Sequence, residues 1–298
     1  MHAVSDTVSC PLNWRLFLPR EWAEDAVRRR RTGVPEDVGH REKWRLALDA
    51  LDALEALDEL AAWRLVPPVV VADAGYGQNA DFRTGLAERE IRYVVGIRGD
   101  ITVQPHEAVP DAPAWAGTGR RPVPRCRQPP VTVAELAAAA GRDAFSEVTW
   151  REGSRGPMTS RFLAMPVRPA GVRSRRLAQA AAVAEHGRWD GVLPQVRLLA
   201  EWPDGEEEPT RFWLSDLPEV TPIAELVRLA KIRWRIEHDY RELKHGLGLD
   251  PSQVQDGPNG VLLVQCGWPR PCGGRRRPGR RRDALPFHSR AGGGRRGR

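Results

Sequence analysis

Apolar residues recur every three or four positions through residues 41–63, at Trp44, Leu48, Leu51, Leu54 and Leu57 or Leu60. That spacing lays one stripe of an α-helix against a core, and the helix is expected to cover one face of a sheet. Pro67 and Pro68 end the connection. The run Val69 to Ala72 then reads as a strand buried on both faces, ending in Asp73 and the turn-prone Ala-Gly-Tyr-Gly. Asn79 suits the N-cap of a helix over residues 80–90, and residues 91–97 form a second strand. Strand, helix, strand in that order implies parallel pairing through a right-handed crossover.

The pattern differs on either side of this unit. The opening reads as two extended segments joined at a turn near residues 5–7, with Trp14, Leu16 and Leu18 alternating; Asp6, within that turn, fits an Asx-turn. Residues 20–31 read as a short charged helix. Between residues 100 and 220 the texture becomes short extended runs with many Pro and Gly, at 101–103, 145–150, 161–167, 195–202 and 211–214. Helical interruptions fall at 136–140 and 176–184, so this stretch is expected to form a separate β-rich lobe. Its Trp150, Trp189, Trp202 and Trp213 are able to stack on bases, although packing within a thin β domain is the preferred reading of them. A final helix over 221–250 starts with Thr221 as N-cap and Pro222 in its first turn. Beyond it, residues 251–298 lack apolar periodicity and read as a disordered tail, in which Val261 to Val264 is the one run able to pack.

Charge sharpens this division. The net charge is +7, yet residues 251–298 hold eleven arginines against two aspartates, which leaves the rest of the chain slightly acidic. Among the 46 basic residues only Lys43, Lys231 and Lys244 are lysines. Arginine's planar fork grips phosphate, so the composition permits nucleic-acid binding without requiring it. Cys10, Cys126, Cys266 and Cys272 lack His partners at zinc spacing. No apolar run is long enough to cross a membrane and the N-terminus shows no signal-peptide pattern, which leads to a cytoplasmic reading.

Candidate chemistry lies in two places. Arg233, Glu237 and Lys244 stand at i, i+4 and i+11 and share one broad helical stripe, a carboxylate between two cations. A solvated, salt-bridged surface helix has the same pattern. Asp73 at a strand tip supplies a second acid able to converge with Glu237 on a metal. In these residues the sequence resembles the insertion-sequence transposases of the DDE superfamily, cut-and-paste type. That group marks its last catalytic helix by Tyr, two residues, Arg, three residues, Glu, six residues, Lys; here the register gives Ala230, Arg233, Glu237 and Lys244, with the tyrosine replaced.

The resemblance implies a ribonuclease H-like mixed sheet flanked by helices, with a β-rich insertion before the last catalytic helix. It divides the chain into a partial core over 1–99, the insertion over 100–220, the final catalytic helix over 221–250 and the tail over 251–298. It assigns Asp73 and Glu237 as catalytic metal ligands for Mg²⁺ or Mn²⁺, and Arg233, Trp234 and Lys244 to DNA, with a core or rim role for Trp234 as the alternative. Two ions about 3.5 to 4 Å apart would require the two carboxylates within roughly 8 Å of each other. Element ends and target DNA are the implied partners, together with a homodimer of the intact protein. The family's first catalytic aspartate would precede the opening hairpin, so the expectation is a truncated, catalytically incomplete copy with an aberrant tail. A nuclease of the same fold, or a vestigial basic DNA-binding protein, are the alternatives.

Overall fold

The computed structural model describes residues 1–55, 69–111, 113–119, 122–154, 156–246 and 263–265. Its centre is a mixed sheet flanked by helices, built around β3 (Val69–Ala72) and β4 (Tyr93–Ile97). These pair in parallel, Val71 opposite Val94, as the crossover pattern predicts. Both strands are buried along their whole length, and their side chains alternate between two cores. Val70, Ala72, Tyr93 and Val95 face α3 (Lys43–Glu55) and α5 (Ala80–Glu88), through Leu48, Leu51, Phe82 and Leu86. Val69, Val71 and Val94 face α8 (Ile223–Lys231) and α9 (Trp234–Gly246), through Leu226, Val227, Leu229 and Ile236. A strand covered on both faces reads as a continuous apolar run, which is why four consecutive apolar residues sufficed to place β3. Asn79 caps α5 as expected, its Oδ1 accepting from the backbone of Asp81 at 2.8 Å and Phe82 at 3.2 Å. Within the predicted 41–63 helix, residues 56–63 lie outside the described residues.

The opening forms a hairpin, β1 (His2–Val4) with β2 (Ser9–Pro11). Its turn is closed by Ser5, whose Oγ accepts from the backbone of Thr7 and Val8, and not by the expected Asx-turn at Asp6. Asp6 instead directs its carboxylate at Arg228 on α8, 2.7 Å away. The predicted 20–31 helix is two, α1 (Arg20–Glu24) and α2 (Ala26–Thr32), because Asp25 turns extended between them and caps the second.

Downstream, the secondary structure follows the sequence pattern but the lobe is not separate. After β5 (Thr102–Pro105) and β6 (Val131–Thr132) come α6 (Val133–Ala139), a long hairpin of β7 (Ser146–Gly153) and β8 (Gly156–Pro169), α7 (Val172–His186), β9 (Val196–Trp202) and β10 (Arg211–Ser215). β10 pairs antiparallel with β4, Phe212 opposite Ile97. The sheet therefore runs β2-β1-β11-β3-β4-β10-β9-β8-β5-β6 without interruption. Its β11 (Leu263–Gln265) comes from the apolar run of the tail and lies between β1, in parallel, and β3, antiparallel. Those three residues depart from the expected disorder because their backbone completes both ladders. The remaining tail residues lie outside the described ones.

Candidate active site

Parity along β3 decides where Asp73 points. It follows Val69 and Val71 at two-residue steps, so its side chain leaves the sheet on the α8 and α9 side. Its backbone is extended, and its Oδ1 accepts from Gly75 N at 2.9 Å, capping the single turn α4 (Ala74–Gly77). That turn is pressed onto β4. A Cβ at Gly77 would stand 2.1 Å from the carbonyl oxygen of Gly96, and one at Gly96 would stand 3.2 Å from Ala74 N. Two glycines thus permit the approach that fixes the acid at the strand tip.

The expected single final helix is two. Thr221 does not cap it; Pro222 is the N-cap, with ψ 146° and no side-chain bond. Proline's fixed φ suits that extended entry, and Thr221 instead offers its carbonyl to Arg197 Nη1 at 2.8 Å. α8 ends at Lys231, and a tight turn follows in which Ile236 N bonds to Arg233 O at 3.0 Å, three residues back. Ile232 and Ile236, both buried, anchor the turn on either side of Arg233. Glu237 lies in the first turn of α9.

One nitrogen joins the two acids. Arg233 Nη2 lies 3.6 Å from Asp73 Oδ2 and 3.7 Å from Glu237 Oε1, so those oxygens are closer together than the roughly 8 Å that a shared two-metal site allows. Asp73 is mostly covered, with a side-chain exposure of 20%, whereas Glu237 is open at 66%. Among the described residues no group of three His, Cys, Asp or Glu side chains converges to hold a metal. Lys244 lies on α9 with its side chain outside the described residues. Trp234 is half-buried, with the Arg151 guanidinium 3.5 Å and the Arg235 guanidinium 4.9 Å from its ring centroid.

Sequence reasoning missed the groups that hold this region in place. Lys231 directs its ammonium at both oxygens of Glu201 on β9, at 2.7 and 2.5 Å, and is boxed by the rings of Trp150, Phe162 and Trp213 within 5.6 Å. Burial lowers the Lys231 pKa, and the Glu201 carboxylate opposes that shift. Arg228 bridges Asp6 and Glu225, whose bonds raise its pKa further, and Arg235 donates to the carbonyls of Asp6 and Thr7. One clue was present: Lys231 is a lysine in a chain that otherwise uses arginine almost throughout. Of the insertion's tryptophans, Trp150 and Trp213 pack in this box, and Trp202 packs edge-on against Phe145, centroids 5.3 Å apart. Trp189 instead donates to Val192 O.

The profile of a family described as DDE superfamily endonuclease matches residues 1–157, just over half of the chain. No curated protein matches the chain significantly.

Proposed function

The chain belongs to the DDE superfamily endonucleases, and on that premise we propose that it carries part of a transposase core acting on DNA phosphodiester bonds. The fold, a mixed sheet flanked by helices, is ribonuclease H-like in its architecture. The observation that supports the reading is the convergence of Asp73 and Glu237 on Arg233. Two carboxylates on a solvent-facing rim are hard oxygen donors that suit Mg²⁺ or Mn²⁺, and Asp73 keeps Oδ2 free of the capping bond made by Oδ1. A divalent ion held there would polarise a scissile phosphate as a Lewis acid. Asp73 and Glu237 would hold the ion, Arg233 and Lys244 would grip the backbone beside the bond, and Trp234 would contact the DNA at the rim of the site.

We assign weak or absent strand cleavage to this chain by itself. Two acids, without a third among the described residues, offer little charge to strip water from Mg²⁺, which dehydrates reluctantly. Arginine contacts to phosphate give salt-sensitive binding without sequence choice. The test offers the purified chain supercoiled DNA carrying element ends with Mg²⁺ or Mn²⁺ and scores nicking and strand transfer. Salt-sensitive binding with little nicking is expected. Robust nicking lost in both Asp73→Asn and Glu237→Gln would overturn the incompleteness, and nicking that survives both would overturn the site.

A further inference from the structure

Arg233 stands where a cation between the two acids would stand. A single guanidinium nitrogen lies 3.6 Å from Asp73 and 3.7 Å from Glu237, distances of charge attraction without tight hydrogen bonds. Arg233 sits in the turn between two helices, and its side chain remains 28% exposed, so it has room to swing outward. The flanking Ile232 and Ile236 are buried and anchor the backbone of the turn independently of the Arg233 side chain. Resting on the proposed reading of Asp73 and Glu237 as metal ligands, we propose that Arg233 is a built-in counter-ion that competes with the divalent ion for these carboxylates and exchanges onto a DNA phosphate. The consequence is reciprocal coupling: phosphate that draws the guanidinium away frees the acids for the metal, and the metal frees Arg233 for phosphate. An arginine committed to structure would instead lower metal affinity when removed, because the acids would lose their alignment.

The test measures Mn²⁺ binding to the full chain by the paramagnetic resonance signal of free Mn²⁺. Wild type is compared with Arg233→Ala, with Arg233→Gln, which keeps much of the side-chain volume, and with the Asp73→Asn, Glu237→Gln double variant. Removing one cation next to a partly exposed site should tighten Mn²⁺ binding about three- to tenfold at low salt, less as ionic strength rises. A short duplex, corrected for its own Mn²⁺ uptake, should raise the affinity of wild type but not of the Arg233 variants. Equal or weaker Mn²⁺ binding in both Arg233 variants, with the site lost in the double variant, overturns the exchange and leaves the ligand assignment standing. A duplex effect that persists without Arg233 overturns the coupling. Mn²⁺ binding unchanged in the double variant overturns the ligand assignment itself.

Discussion

A methyl group at residue 77 has nowhere to go. Its nearest neighbour would be the Gly96 carbonyl oxygen at 2.1 Å, with Val95 Cβ at 2.8 Å, and backbone on a central strand does not retreat as a flexible side chain would. Gly77→Ala should therefore destabilise the fold by about 3 kcal/mol, the upper part of the usual range for overpacking. Urea unfolding checks it, and a cost below about 1 kcal/mol would show that the Asp73 turn can lift from β4. The Lys231 box gives a second case. Lys231→Met leaves Glu201 buried, with the outer Arg211 guanidinium, 3.9 Å away, as its one remaining cation among the described residues, at a cost of about 3 kcal/mol. Adding Glu201→Leu should recover most of that loss, since an apolar pair needs no compensation; equal losses in the single and double variants would remove the ion pair as the cause. Asp73 was legible because strand parity and a following Gly-rich turn are local. Lys231 was not, because its partner lies thirty residues away across the sheet.

At the scale of elements, buried strands and strongly periodic helices were legible, and their ends and breaks were not. β3, β4, the Asn79 cap and the parallel pairing follow from local pattern alone. The break at Arg233 does not, since no Pro or Gly marks it, while Ile232 and Ile236 on either side of it are both seated in one core. Asp6 was misread for a similar reason: a turn-forming serine next to it closes the hairpin, and the acid answers Arg228 from α8, more than two hundred residues distant. The hairpin also carries a pH dependence. Burial of His2 holds its pKa below the ordinary value. The unfolded chain therefore takes up the proton first, and the stability His2 contributes is present above about pH 6.5 and is lost as pH falls through that value toward the depressed folded pKa. The melting temperature should drop between pH 7 and pH 5.5, and less steeply in His2→Gln. Equal slopes in the two proteins would place the titration elsewhere.

At the scale of the molecule, the stretch over residues 100–220 reads in sequence as an inserted lobe and stands in the structure as part of one sheet. Short β runs between turns announce strands but say nothing about which edge they join, since pairing partners here are far apart in the chain. β10 completes β4 through four residue pairs, and β5 joins β8 on the far side, so the segments before and after residues 106–130 are laced together. The same core cluster takes Val95 and Ile97 from β4, and Leu198 and Leu214 from β9 and β10. Residues 113–119 are exposed throughout, with Gly117 and Gly119 at positive φ, and offer the kind of chain that proteases enter first. A broad-specificity protease used sparingly should cut there. The two fragments should separate on a denaturing gel yet elute together from a native sizing column, because parting them would expose the central strands of the sheet to water. Release of a compact β fragment from residues 120–220 would mean that β4 and β10 are not neighbours, and the lobe would then be separate after all.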